Sequence, residues 1–328
     1  MSKYDIYGIG AALVDTEIQV NDSDLSNFNI DKGVMTLVDS DRQTELLALL
    51  SGHLVHSKRA SGGSAANSII AASYFGAKTF YSCRVANDDN GKFYLNDLTD
   101  ADVKFHNRAG SLEGDTGKCL VFITPDAERT MNTHLGISEF VSAEDLDEEA
   151  IAASRFAYIE GYLVTSETGR PAAIRLRELA EKSGVKTAIS LSDPFIVNIF
   201  KDGLKEMIGN GVDLLFCNED EALNFTCTEN INDAAEALKS IAKSFAITLG
   251  AKGALIFNGD TLVTVAAEPV KALDTNGAGD MFAGAFMYGL CEGWSHEKSA
   301  KFACNAAGRV VSQYGPRLAA AQHAELLS

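Results

Sequence analysis

A chain of 328 residues that is 46% apolar and 22% charged has material for a full core, as one large α/β domain or two smaller units. Its 45 acidic against 28 basic side chains leave a net charge of −17, which argues against nucleic acid or an anionic membrane as main partner, since both demand a basic surface. A nucleotide substrate stays open, because helix N-termini and a metal hold phosphate locally.

The start, Met1-Ser2-Lys3-Tyr4-Asp5-Ile6, lacks the apolar core of a signal peptide, and no apolar run reaches membrane-spanning length. A cytoplasmic protein is expected. Six cysteines (Cys83, Cys119, Cys217, Cys227, Cys291, Cys304) form no Cys-x-x-Cys pair and read as buried free thiols. His53 and His56 make a pair with no third metal ligand nearby.

Residues 4–9 predict a first strand, ending in the turn Gly8-Ile9-Gly10. A dinucleotide fingerprint would need a third glycine where Leu13 stands, so that reading is broken. The pattern Gly-x-Gly-x-x-Leu-x-Asp instead places Asp15 just beyond the strand, where a carboxylate can accept from two sugar hydroxyls; a solvated loop aspartate is the plain alternative. From residue 16 to about 58 the sequence is polar and less regular, with alternation at Ile18-Gln19-Val20 and over 33–38. It reads as one lobe of a lid built from short strands.

Ser61-Gly62-Gly63-Ser64-Ala65-Ala66-Asn67-Ser68 leads into a helix over 69–75. Its glycines permit close approach of a ligand, and Asn67 offers a donor and an acceptor one turn in. A strand over 79–85, a turn at Asp88-Asp89-Asn90-Gly91 and a helix over 92–98 follow. Segments 103–105 and 118–123 bracket a glycine-rich loop in which Gly114-Asp115-Thr116-Gly117-Lys118 imitates a P-loop, but Leu112 and Cys119 break that motif. Residues 125–135 read as a second lid lobe, with Arg129 either reaching a phosphate or solvated.

A strand over 156–159, a helix over 171–183 and a strand over 186–191 alternate as βαβ units do, implying a mostly parallel sheet covered on both faces. A short helix over 203–209 comes next, then a strand over 212–217. It ends in Asn218-Glu219-Asp220-Glu221, where Asn218 and Glu221 lie three apart at the start of a helix and face one point, although an acidic first turn is also ordinary capping. A helix over 231–242 and a strand over 245–249 lead to Gly250-Ala251-Lys252-Gly253 and a hairpin turning at Asn258-Gly259.

Asp274-Thr275-Asn276-Gly277-Ala278-Gly279-Asp280 then runs into the apolar stretch 281–290. Small residues at a helix start leave amides bare for an anion. Asp280 is out of place in such an anion site unless it caps the helix or acts as a general base on a hydroxyl. A final long helix begins near His296 and contains Cys304-Asn305-Ala306-Ala307-Gly308, and Tyr314-Gly315-Pro316 is expected to close the ordered part of the chain.

Asp-Thr-x-Gly-Ala-Gly-Asp with the following Phe-x-Gly-Ala-Phe resembles the C-terminal signature of the PfkB (ribokinase-like) family of sugar and nucleoside kinases, and Gly-Gly-x-x-x-Asn-x-Ser resembles its N-terminal one. The resemblance implies a ribokinase-like three-layer α/β sandwich, with a mostly parallel central sheet and a small β-rich lid. It implies one kinase domain over 1–328, with lid segments at about 16–58 and 105–136. ATP would be the phosphate donor and Mg2+ its ion, with a monovalent cation such as K+ beside the 274 loop in some members. By that likeness Asp280 is the base, Gly277, Ala278 and Gly279 form the anion hole, and Asp15, Gly62, Gly63 and Asn67 hold the acceptor. Thr248, Gly250, Gly253, Thr275, Gly277, Gly279 and Asn305 border the nucleotide, with Asn305 on its adenine side. Asn218 and Glu221 hold the magnesium-bound phosphates through water.

The run Ser190-Leu191-Ser192-Asp193-Pro194-Phe195-Ile196 is similar to the adenosine kinase branch, and with the Asn218-Glu219-Asp220-Glu221 context it points to a nucleoside such as adenosine. Ala11 departs from it, since that branch carries Asn there near the base, so a sugar such as ribose, fructose or 2-keto-3-deoxygluconate is the alternative. Two other classes are weighed. An NAD-dependent oxidoreductase lacks its fingerprint, and a silent binding protein would have lost Asp280. A monomer or a homodimer paired through lid strands fits the family.

Overall fold

The computed structural model describes residues 2–52, 59–106 and 110–328; the His53/His56 pair lies outside them. Its strands are β1 Ile6–Ile9, β2 Leu13–Gln19, β3 Met35–Leu37, β4 Arg59–Gly62, β5 Thr79–Ser82, β6 Lys104–Phe105 and β7 Thr116–Ile123. They continue as β8 Arg129–Gly136, β9 Phe156–Ile159, β10 Lys186–Ser190, β11 Val212–Asn218, β12 Ala242–Thr248, β13 Ala254–Phe257 and β14 Leu262–Val265. The helices are α1 Asp22–Asn27, α2 Ser40–Leu49, α3 Ser64–Tyr74, α4 Asp89–Asp100, α5 Glu148–Ala152 and α6 Gly169–Lys182. After them come α7 Pro194–Ile208, α8 Glu219–Thr226, α9 Ile231–Leu238, α10 Ala278–Cys291, α11 His296–Val311 and α12 Ala320–Leu327.

The central sheet runs β14-β13-β12-β11-β10-β9-β1-β5-β6, parallel from β6 to β12 and antiparallel at β12–β13 and β13–β14. Neighbouring residues of one strand face opposite layers. Ile6 packs with Ile69, Phe282, Phe286 and Ala303 under α3, α10 and α11, whereas Tyr7 packs with Leu176, Leu204 and Phe245 under the α5–α9 layer. Two buried faces explain why these strands read as continuous apolar runs, and the result is the expected three-layer α/β sandwich.

The lid is a second sheet, ordered β3-β8-β7-β2-β4. Its alternation is as clean: Leu120 and Phe122 turn outward onto Leu25 of α1, Leu46 of α2 and Leu50 at the end of α2, while Cys119, Val121 and Ile123 turn toward the main body. The join is the tripeptide between β1 and β2. The Ala12 N–H donates to Ser138 Oγ at 2.9 Å, the Ser138 hydroxyl donates to the Ala12 carbonyl at 2.8 Å, and the Tyr81 hydroxyl donates to the Ala11 carbonyl at 2.8 Å.

The structure departs from expectation in five places. Asp15 lies inside β2 rather than in a loop. The stretch read as short strands carries the end of β2 and all of β3, but also two helices, α1 and α2; Asp39 caps α2 by accepting the Arg42 N–H, a signal hidden in a polar sequence. Helix α7 begins at Pro194 under an Asp193 cap rather than at 203, because exposed Phe195 and Ile199 mask its period and Phe200 kinks it. Helix α9 stops at Leu238, and Ala242 already pairs in β12. The chain also continues past Pro316 into α12, whose fully buried His323 packs on Tyr74 and Phe75. Of the six cysteines, all free, only Cys227 is exposed. Among the described residues no helix is long and apolar enough to cross a membrane.

Candidate active site

In an open α/β sheet ligands bind beyond the carboxyl ends of the strands. Here a cleft of about 610 Å³ lies there, roofed by the inner face of the lid. Its floor is the start of α10. Gly277 opens that helix at φ +74°, and a Cβ there would come within 2.0 Å of the Pro316 carbonyl, so only glycine fits. Gly279 is exposed with no atom near a Cβ position, which leaves its amide open to the cleft. Fully buried Asp274 braces the loop by accepting the Asn276 N–H at 2.8 Å and the Gly315 N–H at 2.9 Å.

Helix α3 starts beside α10. The two pack so closely that a Cβ on Gly284 would lie 2.3 Å from the Ser68 carbonyl. That approach brings Ser64 and Asn67 to Asp280: the Ser64 hydroxyl donates to Oδ1 at 2.6 Å and Asn67 Nδ2 to Oδ2 at 3.0 Å. Burial raises the Asp280 pKa, and these two bonds and the Arg129 charge oppose the rise. Asn67 Oδ1, itself buried, has no hydrogen-bond partner. It is an acceptor aimed at nothing the protein supplies.

Asp15 reaches the cleft from β2, pushed well up by burial and by Glu17. Gly62 does not line the cleft but backs it: a Cβ there would fall 2.0–2.2 Å from the Asp15 carboxylate. Gly63, at φ +95°, passes so close to the Ala11 carbonyl that a Cβ would be 2.2 Å away. At the other end, Asn218 and Glu221 line the cleft while engaged with each other. Asn218 Oδ1 accepts the Glu221 N–H at 2.8 Å, and Glu221 accepts the Asn218 backbone N–H at 3.1 Å and its Nδ2 at 2.7 Å. Burial lifts Glu221 to about 8. Capping and cleft lining are thus one feature.

Thr248, Gly250, Thr275, Ala278 and Arg129 also line the cleft. The Thr275 hydroxyl donates to the Ala127 carbonyl of the lid at 3.1 Å, tying roof to floor. Two expected nucleotide residues fall elsewhere. Gly253 is a turn glycine at φ +104°, where a Cβ would meet the Val265 carbonyl at 2.0 Å. Asn305 is exposed and lines a separate cavity of about 250 Å³ with Ala266, Glu268 and Trp294. It sits on the outward side of α11, a face that the small-residue motif alone does not reveal.

Several cleft residues escaped the sequence reading. Glu160, 1% exposed at the end of β9, accepts the Ala11 N–H at 3.2 Å and the Ala65 N–H at 2.8 Å, and burial raises it to about 7. An acid closing an apolar strand run was the available signal. Ser64 stood in the motif itself. The apolar roof, from Leu13, Met35, Leu37, Cys119, Met131 and Leu135, lies on four strands far apart in sequence, and only their pairing in the second sheet shows that these side chains share one face. Among the described residues no group of three or more His, Cys, Asp and Glu could hold a metal directly. Asn218 and Glu221 bring oxygen donors to the cleft, the donor type that suits a hard divalent cation.

The profile of the pfkB family of carbohydrate kinases matches residues 37–323. Adenosine kinase of Saccharomyces cerevisiae is 28% identical, over 94% of this chain and 95% of its own length. Mouse ribokinase is 27% identical over 75% and 79%. The crystal structure of adenosine kinase from Sinorhizobium meliloti superposes with a TM-score of 0.93 at 34% identity, covering all of both chains.

Proposed function

The chain belongs to the pfkB family of carbohydrate kinases, and from that premise we propose that it moves the γ-phosphate of ATP to the 5′-hydroxyl of an adenosine-like nucleoside. The observation that carries the mechanism is Asp280, held by Ser64 and Asn67 at the mouth of a bare helix N-terminus. Asp15 and the orphan Asn67 Oδ1 grip the hydroxyls of the sugar ring, with Gly62 and Gly63 giving them room. The acceptor hydroxyl displaces one bond at Asp280 and gives its proton to that carboxylate. As it does, the acceptor oxygen bonds the γ-phosphorus, and the bond to the bridging oxygen breaks with its electrons leaving on ADP. The Gly277 and Gly279 amides and Arg129 take up charge on the migrating group. Asn218 and Glu221 would hold a magnesium ion through water, and that ion would supply charge neutralisation at the phosphates. Thr248 and Gly250 border the nucleotide, and the roof excludes water.

The apolar roof favours a nucleoside, because a planar base buries against Leu13, Met35, Met131 and Leu135, whereas a free sugar leaves them nothing to cover. The sugar-kinase reading is favoured by Ala11, which offers a base no side-chain partner. A panel of adenosine, inosine, guanosine, ribose, fructose and 2-keto-3-deoxygluconate, read by ADP release, tests the proposal. Preference for a nucleoside is expected. Preference for a free sugar moves the protein to the other branch, and no acceptor-dependent ADP release overturns the reading.

A further inference from the structure

Between α11 and α12 the segment Tyr314-Gly315-Pro316-Arg317 passes behind the site. Gly315 donates to Asp274, and the Pro316 carbonyl fixes the space that only Gly277 can occupy. Arg317 ends the segment, its side chain 12% exposed. One guanidinium nitrogen, Nη2, donates to Asp97 Oδ2 of α4 at 2.6 Å, and the same oxygen accepts the Ser61 hydroxyl at 2.5 Å. Ser61 directly precedes Gly62, against which the Asp15 carboxylate packs. The other nitrogen, Nη1, is buried with no hydrogen-bond partner. A buried cation left partly unpaired is costly, so a residue of this kind needs a reason to be there.

The charges around Asp15 supply one. Glu17 from its own strand and Asp280 from α10 press it toward the neutral acid, with Cys119 of β7 also alongside. Arg317 and, behind it, Arg129 of β8 oppose them. We propose that Arg317 is a positioning residue for the acceptor: anchored to Asp97, it brings positive charge to bear on Asp15 and holds residues 314–317 against the anion loop, setting the acceptor grip and the anion hole in register. The role rests on the kinase reading above and deepens it.

Steady-state kinetics on R317M, R317K and R309A test it, with whichever acceptor of the panel above the wild type phosphorylates best. R309A breaks only the exposed Arg309–Glu325 pair at the same end of the chain. R317M is expected to raise the acceptor KM about tenfold or more, the weight of a hydrogen bond to a charged group, while the KM for ATP stays put. Ionised, Asp15 offers both oxygens to the hydroxyls in stronger, charge-assisted bonds, so loss of the cation moves the acid limb of kcat/KM to higher pH. R317K keeps the charge and returns the limb, and R309A changes neither quantity. An R317M enzyme with wild-type acceptor KM and an unmoved limb overturns the role of Arg317 alone. A wild type that phosphorylates no acceptor of that panel removes the kinase reading, and the proposal with it. Should R317M fail to fold, D97N, which frees Arg317 from its anchor, is expected to raise the acceptor KM in the same way; an unchanged KM there overturns the proposal.

Discussion

Both oxygens of Asp280 accept hydrogen bonds from α3, so the carboxylate has one orientation before any acceptor arrives. In the proposed mechanism such pre-positioning removes a reorganisation step, since misplacement by an ångström costs about 10²-fold. Asp15 is fixed by crowding instead. In G62A the new Cβ would need the space the carboxylate fills, 2.0–2.2 Å away. That variant is expected to raise the acceptor KM roughly 10- to 100-fold with little change for ATP; equal KM values for the acceptor in G62A and wild type would show that Asp15 is not part of the grip. Residues in one short motif (Gly62, Gly63 and Asn67, or Gly277 to Asp280) were legible because neighbours in sequence share a helix start. Glu160, Ser138 and Arg317 were not. Their partners lie 149, 126 and 220 positions away, and only the tertiary fold makes them neighbours.

At the scale of elements, two of the junctions between the lid and the main body touch the site. The tripeptide between β1 and β2 is held by Ser138, Tyr81 and Glu160, and the turn before β8 is tied to Thr275. Strand β8 thereby carries Arg129 over the cleft, where its charge acts on Asp15, Glu221, Asp274 and Asp280. R129M is expected to lower kcat roughly 10²–10³-fold, as loss of one donor to a transferring group does, with the melting temperature near that of wild type. A variant that loses only acceptor affinity would remove Arg129 from phosphoryl stabilisation. The strands β9 to β13 were plain in the sequence, because strands buried on both faces read as apolar runs. Helices α1 and α2 were not, since they bury a single stripe onto Leu120 and Phe122 and leave Leu47 and Leu49 exposed. That exposure blurs the period.

On the scale of the whole molecule, net charge −17 concentrates a problem at the cleft, where Asp15, Glu160, Glu221, Asp274 and Asp280 are all raised by burial. Glu160 moves from 4.5 to about 7 and Glu221 from 4.5 to about 8. The folded chain therefore binds more protons than the unfolded one across that window. Stability from these groups is complete below the unfolded value and is lost as pH rises through the folded one. The melting temperature is expected to fall between about pH 6 and pH 8, with E221Q flattening the upper part of the curve; a melting temperature that climbs over this range would contradict the assignment. The three-layer class was legible from strand–helix alternation, and the family from two motifs near opposite ends of the chain. The position of Asn305 was not, because which face of α11 turns outward depends on what α10 and the 266–268 segment leave uncovered.

The central claim is that the two halves of this molecule meet to deprotonate an acceptor at Asp280, and kcat of D280N at saturating ATP and acceptor tests it most directly. A fall of roughly 10²–10⁴-fold with ATP affinity unchanged is predicted, the usual weight of a general base. A kcat near that of wild type would contradict the account.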